Sequence, residues 1–222
     1  IDGYVDRENY LEYAMHSDEI LLIYAASSLE AILTNEPAWL IFNIWASRHF
    51  TPEDTLRLII FISSFLTSFL VLRSYPKQAF FLIIFILTPQ ILKNNIIHLR
   101  QGLGIALFLL GWWSRYLPVR ILFIGLAPLV HASFFFINAL FILNIAFSTF
   151  GVSTIWRVVY TLGVAVVLGA MGIWLASELG ARQGSNAEYS GMGGGGTGLA
   201  VMFWVAFAVI FFMEGKDFLK SN

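Results

Sequence analysis

The sequence contains no cysteine among its 222 residues. This excludes a disulfide framework, a thiolate nucleophile and a cysteine-based zinc site. Charged residues are scarce as well: they make up 12% of the chain, whereas soluble domains carry about 25%. So few charges cannot cover a water-exposed surface of this size. With 58% hydrophobic residues and a mean hydropathy of +0.76, the composition excludes the soluble, disordered, fibrous and disulfide-rich classes. It indicates an integral membrane protein.

Acidic residues are absent from the long middle of the chain. No Asp or Glu lies between Thr55 and Ser177, although eight bases do: Arg57, Arg73, Lys77, Lys93, Arg100, Arg115, Arg120 and Arg157. The first 36 residues instead hold eight of the fourteen acids: Asp2, Asp6, Glu8, Glu12, Asp18, Glu19, Glu30 and Glu36. This acidic stretch cannot cross a membrane. We therefore divide the chain into an outer acidic segment, residues 1–55, and a transmembrane helical domain, residues 56–222.

The helical domain contains seven apolar runs separated by polar residues: 56–72, 79–92, 102–113, 119–130, 132–147, 156–175 and 199–212. A helix that crosses the ~30 Å apolar core of a bilayer needs about 20 residues. The first and sixth runs satisfy this. The shorter runs must include flanking residues in the span, tilt less, or end before they have crossed the bilayer. Runs 119–130 and 132–147 could together form one re-entrant hairpin that closes at residues 128–131. We predict an all-α polytopic integral membrane protein with about seven spans.

Within the acidic segment, three stretches predict juxtamembrane helices. Residues 6–15 place aromatic and leucine side chains among acids, as in a short amphipathic helix. Residues 20–33 and 38–46 are apolar and are separated by a proline-containing break. We interpret these pieces as helices on the bilayer surface, with tryptophans at the interface. The alternative is that residues 20–46 form one kinked span.

The Lys and Arg residues of the short loops predict the orientation in the membrane. Seven of the thirteen lie in loops that we interpret as cytoplasmic, at residues 73–77, 115–120, 157 and 216–220. The loop at residues 93–100, the Gly-rich loop at 180–198 and the acidic segment then face the outside.

Arg100 is predicted to begin a helix, because it directly precedes the apolar run 102–113. A cation at a helix N-terminus opposes the helix dipole. An anion would remove that conflict, since helix N–H groups and a guanidinium together bind phosphate. The acid-free middle leaves Arg100 without a carboxylate nearby in sequence, which favours a phosphate ligand. The alternative is an arginine that snorkels to the membrane surface. Gly102 and Gly104 would let the backbone approach either a ligand or a neighbouring helix.

Several other residues are candidates for proton transfer. His131 lies between two apolar runs, where it is either a structural turn histidine or a catalytic one. Asp2 and Asp6 lie near the expected outer membrane face and could act as a general base when buried. The alternative for both is a solvated acidic surface. Glu36 precedes Pro37 at a predicted helix start, where the helix dipole and capping alone explain an acid.

Well-known catalytic motifs are missing. The sequence has no His-Glu-x-x-His, no Gly-x-Ser-x-Gly and no Gly-x-Gly-x-x-Gly after a predicted strand, which disfavours a zincin, a hydrolase elbow and a dinucleotide-binding domain. The Gly-rich stretch 191–198 lacks the Lys-Ser/Thr of a nucleotide-binding loop and suits a mobile outer flap or a plain linker. We expect no cofactor, no metal site and no nucleic-acid partner.

Four short elements, in the same order, resemble motifs of the EpsG family of polysaccharide polymerases. Residues 6–13 resemble its Asp-x-x-x-Tyr element, and residues 36–39 its Glu-Pro-Gly-aromatic element, with Ala38 in place of Gly. Residues 100–104 resemble its Arg-Gln-x-x-Ala helix start, with Gly104 in place of Ala, and residues 131–133 its His-x-Ser step. The resemblance covers roughly residues 1–145.

The resemblance implies a bacterial inner-membrane enzyme of the Wzy type, with an outer loop like that of GT-C glycosyltransferases. Such enzymes join oligosaccharide repeats carried on undecaprenyl pyrophosphate at the periplasmic face. The implied partners are a lipid-linked glycan donor and acceptor, membrane lipid and a chain-length regulator. A first span before Ile1 and further residues after Asn222 are also implied.

In this interpretation a carboxylate takes the acceptor proton, Asp6 in preference to Asp2, with His131 as the rival base. Arginines stabilise the charge that develops on the pyrophosphate. The substrate-binding residues expected from the charges and the resemblance are Arg100, Arg182, Arg7, Glu36, Tyr10 and Gln101.

Two other functions stay open from the sequence. A transporter or flippase of lipid-linked sugars would use the same arginines for binding alone and should tolerate loss of Asp6. A membrane acyltransferase that modifies surface polysaccharide would depend on His131 and should not need the outer acidic segment.

Overall fold

The computed structural model describes the backbone of residues 2–178 and the side chains of residues 7–165 and 167. Within this range the regular structure is helical and contains no strand, as the composition and the apolar runs predict. The Gly-rich loop at 180–198 and the predicted span at 199–212 lie outside the described residues.

The acidic segment folds into helices α1 (Asp2–Ser27), α2 (Leu29–Thr34) and α3 (Pro37–Ser47). α1 is kinked at His16, whose backbone is not helical (φ −124°, ψ 17°). Ser28 begins α2, because its hydroxyl accepts a 3.0 Å hydrogen bond from the Ala31 N–H. The predicted helical stretches are therefore present, with one further break at Ser28.

Helix α4 (Pro52–Ser74) is long and apolar enough to cross a membrane, with a mean hydropathy of 2.0 over its most apolar window. The Thr51 hydroxyl caps its first turn. Only 28% of that window is buried inside the protein. Phe61, Phe65 and Phe69 stack along its exposed face with ring centroids 5.7 and 5.8 Å apart. An apolar helix that leaves aromatic rings uncovered is suited to lipid rather than to water.

The predicted span at residues 79–92 is interrupted. A 3₁₀ turn (Pro76–Gln78) leads into α5 (Ala79–Ile86), which is followed by α6 (Pro89–Ile96). The two halves bend by 74° at a break before Pro89, because proline cannot continue the preceding helix. By length and composition, residues 2–178 thus contain one helix that could span a membrane, or two when this bent pair counts as one span. The predicted number of about seven is not confirmed.

The remaining described helices are α7 (Leu99–Trp113), α8 (Leu117–Val130), α9 (Phe134–Thr149) and α10 (Thr154–Glu178). The chain turns between α8 and α9 at residues 131–133, next to the turn predicted at 128–131. The Asn138 side chain on α9 donates a 2.7 Å hydrogen bond to the Ile124 carbonyl on α8, which holds these two helices side by side.

Helix α7 lies at the centre of the packing and contacts α4, α6 and α8. Its glycines allow the close approach. A Cβ on Gly102 would lie 2.5 Å from the Asn94 carbonyl oxygen, and one on Gly104 would lie 2.5 Å from the Phe134 ring. Of the two roles that the sequence left open for these glycines, helix packing is therefore the one observed. The core next to α7 joins the acidic segment to the helical domain, with Tyr10, Trp39, Leu40, Ile59 and Leu99 among its buried members.

Candidate functional site

The side chains of Glu36, Arg100 and His131 meet at one point, which we call the Glu36 cluster. Oε2 of Glu36 accepts a short hydrogen bond from a terminal guanidinium nitrogen of Arg100. Oε1 of Glu36 lies 2.8 Å from Nδ1 of His131 and accepts a 3.2 Å hydrogen bond from the Ala132 N–H. The Glu36 side chain is only 7% exposed. A buried carboxylate is thus held by a guanidinium, an imidazole and a backbone amide.

Three helix ends bring these residues together. Glu36 lies between α2 and α3, Arg100 is the second residue of α7, and His131 follows the last residue of α8. Glu36 adopts the left-handed conformation (φ 59°, ψ 53°), which is uncommon for a residue that has a Cβ. Such a backbone persists only where the surroundings fix it. The hydrogen bonds to both carboxylate oxygens supply that constraint.

The sequence-based explanation of Glu36 as a helix cap is correct for its position but does not account for its side chain. Glu36 does occupy the position before α3, but its side chain makes no capping hydrogen bond. Arg100 has no carboxylate nearby in sequence, as predicted, but Glu36 is its partner in the fold across 64 residues of sequence, so Arg100 does not depend on a phosphate for its counter-ion. Arg100 does begin a helix as predicted, and Glu36 is the anion beside it.

Glu36 stays ionised despite its burial. Burial raises the pKa of its carboxyl, but the hydrogen bond with His131, the positive charge of Arg100 and the Ala132 amide lower it by more. The resulting pKa lies below the ordinary value of 4.5. At neutral pH, Glu36 is therefore a hydrogen-bond acceptor and a source of negative charge.

Two tyrosines of α1 enclose Arg100. Its guanidinium carbon lies 5.9 Å from the Tyr10 ring centroid and 5.4 Å from that of Tyr13. Both rings also make edge contacts with Trp39, at centroid distances of 5.7 and 6.3 Å. Cation–π contacts of this kind stabilise a desolvated guanidinium. In this structure Tyr10, a predicted substrate-binding residue, holds Arg100 in place.

The other predicted site residues lie around the cluster or outside the described range. Gln101 follows Arg100 in the first turn of α7 and is half-buried. Arg7 is exposed on α1, one turn before Tyr10. The backbone of Asp2 and Asp6 belongs to the first turns of α1. Arg182 lies beyond residue 178, where the described range ends.

Two members of the site were missed by sequence reasoning. The Ala132 amide binds Glu36, and its position next to His131 was the available signal. The second is Tyr24: burial and the negative charge of Glu36 raise the pKa of its hydroxyl, against the smaller opposite effect of Arg100. Nothing in the sequence distinguishes Tyr24 from the other apolar residues of α1.

The pairing of Glu36 with His131 suits proton transfer. When the Nδ1–H of His131 donates to the carboxylate, Nε2 keeps its lone pair and can accept a proton. The carboxylate then fixes the ring and stabilises the imidazolium that forms. The His131 side chain is 20% exposed, so the ring is not sealed in the core. Among residues 2–178 there is no group of three His, Cys, Asp or Glu side chains that could hold a metal ion.

Fold and site together define, within the described residues, a helical protein with a candidate membrane span and a buried carboxylate that joins a histidine to an arginine. No protein-family model, curated protein or solved structure matches this chain. The case for a function therefore rests on the residues themselves.

Proposed function

We propose that this protein is a membrane glycosyltransferase that polymerises oligosaccharide repeats carried on undecaprenyl pyrophosphate. The observation that carries the proposal is the Glu36 cluster, which joins three of the four sequence elements that resemble the EpsG family. Residue 36 belongs to the second element, residue 100 to the third and residue 131 to the fourth. Tyr10, from the first element, faces Arg100. Elements that converge in space are better explained by one shared site than by four separate chance matches.

His131 is the general base of the proposed reaction. Its Nε2 takes the proton of the acceptor sugar hydroxyl while the hydroxyl oxygen bonds to the anomeric carbon of the donor. The bond from that carbon to the pyrophosphate oxygen breaks, and the pyrophosphate leaves with the electron pair. Glu36 stabilises the imidazolium formed on His131, since a carboxylate on Nδ1 favours the protonated ring. This assigns the proton-accepting role to His131 rather than to Asp6.

Arg100 is a positioning residue in this proposal. Its pairing with Glu36 directs the second carboxylate oxygen towards His131. Its Nε is buried and has no hydrogen-bond acceptor among the described residues.

The proposal places the site at the outer face of a bacterial inner membrane, in a chain that crosses the membrane several times. The acidic segment and the start of α4 then lie on the same outer side, which agrees with the packing of α1 and α3 against α4. A chain-length regulator is the expected protein partner. An acyltransferase is less well supported, because the histidine it would use is bonded to a carboxylate of the acidic segment that it should not need.

The test is the length distribution of the surface polysaccharide in the bacterium that carries this chain. Glu36→Gln and His131→Asn should each abolish the polysaccharide ladder while a single capped repeat persists. Glu30→Gln and His49→Asn change an exposed acid and an exposed histidine outside the cluster, so their ladders should be normal. Immunoblots must show equal amounts of each variant.

Normal ladders in both cluster variants would refute the proposed function. A ladder lost in Asp6→Asn but kept in His131→Asn would refute the role of His131. Loss of polysaccharide acyl groups with intact ladders would indicate the acyltransferase, and loss of the lipid-linked repeat from the outer leaflet would indicate the transporter.

A further inference from the structure

A groove of about 320 Å³ lies between α1, the start of α4 and the junction of α6 with α7. We call it the Arg7–Arg57 groove, after the two cations that line it. Its other lining residues are Glu53 and five apolar residues, among them Leu56, Ile96 and Leu99. Its volume is within the range of small-molecule sites, which is roughly 300–1,000 Å³.

The groove adjoins the Glu36 cluster. Leu99 lines the groove, and the next residue, Arg100, pairs with Glu36. Arg7 lines it from α1, and Tyr10, one turn further along that helix, contacts Arg100. A ligand seated in the groove would therefore lie next to the proposed catalytic residues.

Charge favours the groove over Arg100 as the place for an anion. Glu36 already neutralises Arg100, so a phosphate there would meet a buried carboxylate. Arg7 is exposed. Arg57 bonds to Asp54 at 2.8 Å, but its side chain is 76% exposed, and pairs that exposed are weak and readily exchange partners. Glu53 lines the groove beside the two arginines and Asp54 pairs with Arg57, so an incoming anion takes the place of Asp54 on Arg57.

The apolar residues of the groove specify the rest of the ligand. Leu56 belongs to α4, the candidate span, and Ile96 lies at the end of α6 with about half of its surface exposed. Cations next to an exposed apolar side chain, Ile96, near the start of a span match an amphiphile whose phosphate lies at the membrane edge.

We propose that the Arg7–Arg57 groove binds the pyrophosphate and the adjoining isoprenoid units of the lipid carrier. The identity of that lipid rests on the proposed function. Arg7 and Arg57 contact the pyrophosphate oxygens, and Ile96 contacts the isoprenoid chain. The sugar on the pyrophosphate then faces the Glu36 cluster.

The test measures binding of farnesyl pyrophosphate to the purified full chain in detergent by calorimetry. The double variant Arg7→Gln, Arg57→Gln should bind about a hundredfold more weakly, since each lost charge-assisted contact costs about tenfold in affinity. Arg48→Gln is the matched control, because Arg48 is an exposed arginine of the acidic segment outside the groove. Its affinity should equal that of the unmodified protein.

A second variant tests the apolar wall. Ile96→Ser should weaken binding of farnesyl pyrophosphate several-fold and leave binding of inorganic pyrophosphate unchanged, because only the former has a chain to bury. Ile96 is exposed, so the substitution leaves the core intact.

Unchanged affinity in the arginine double variant would refute the groove. Equal displacement of the probe by phosphatidylglycerol vesicles would refute a pyrophosphate carrier and indicate a general phospholipid site. Glu36→Gln should keep full affinity for farnesyl pyrophosphate. The two proposals can fail separately. If Glu36→Gln and His131→Asn have normal ladders and the groove still binds farnesyl pyrophosphate, only the proposed function is rejected. If those two variants lose their ladders but the arginine double variant binds as tightly as the unmodified protein, only the groove is rejected.

Discussion

Oε1 of Glu36 and Nδ1 of His131 lie 2.8 Å apart, although 95 residues separate them in the sequence. This contact joins the break before α3 to the end of α8, and Arg100 adds the start of α7 to the same point. The acidic segment is therefore bound to the helical domain by hydrogen bonds as well as by the shared core around Trp39. Stability and the proposed chemistry should depend on the same few side chains.

The ion pair between Glu36 and Arg100 should be strongly coupled. Glu36→Gln and Arg100→Gln should each lower the free energy of unfolding by about 3 kcal/mol, because each leaves one buried group without its partner. The double variant should lose clearly less than the two losses added together. Thermal unfolding in detergent, followed by tryptophan fluorescence, measures all four proteins of the cycle. Simple additivity would show that the two charges do not interact.

Stability should fall in acid because of Glu36. Its pKa in the folded protein lies below the ordinary value of 4.5, so the unfolded chain takes up the Glu36 proton more readily than the folded one. The carboxylate thus stabilises the protein above pH 4.5, and this contribution disappears as the pH falls through the lowered folded value. Unfolding measured across the acid range should show a smaller pH dependence in Glu36→Gln. Identical pH dependence in both proteins would contradict this account.

Gly102 should not tolerate a side chain. The added methyl group of Gly102→Ala would lie 2.5 Å from the backbone oxygen of Asn94, and a backbone atom moves only when α6 moves with it. The variant should lose about 1–3 kcal/mol of stability from overpacking. Gly125→Ala is the control, because nothing lies within 4 Å of the new methyl group. It should be neutral or more stable by up to about 1 kcal/mol, since alanine favours helix. The same melting experiment compares the two, and equal effects would contradict the close packing at Gly102.

The Asn138 side chain should stabilise the packing of α9 against α8. Asn138→Ala removes the 2.7 Å hydrogen bond to the Ile124 carbonyl and should cost about 1 kcal/mol. Hydrogen exchange should rise along α9 in particular. Asn9→Ala, at an exposed position of α1, should change neither the melting temperature nor the exchange of α9. Unaltered exchange in Asn138→Ala would mean that apolar contacts alone hold the two helices together.

Local features of the structure could be predicted from the sequence. Pro37 and Pro52 each lie at a helix start, as proline in the first turn favours. Residues 56–72 lie in the long helix α4, as the length and apolar character of this run predict. The turn after α8 could be placed within a few residues of His131. These signals depend only on neighbouring residues.

The site could be predicted only in part, because its contacts are distant in sequence. Arg100 and His131 were chosen correctly as unusual polar residues beside apolar runs, but their common partner was not identified. Glu36 had an adequate local explanation as a helix cap, and that explanation concealed its bonds to residues 64 and 95 positions away. The bend between α5 and α6 was missed because the run at residues 79–92 was treated as a single span although Thr88, Pro89 and Gln90 lie within it.

The order of synthesis determines when the left-handed turn at Glu36 can become stable. A ribosome makes Glu36 long before Arg100 and His131, so the newly made segment carries a carboxylate whose partners do not yet exist. Until α7 and α8 have been added, no guanidinium or imidazole holds the Glu36 carboxylate, and the turn can relax towards an ordinary backbone conformation. Closure of α3 over Arg100 must then be a late step, reached only after non-local contacts have formed. The acidic segment would stay exposed to water until then, and the site would be completed only after His131 has been synthesised.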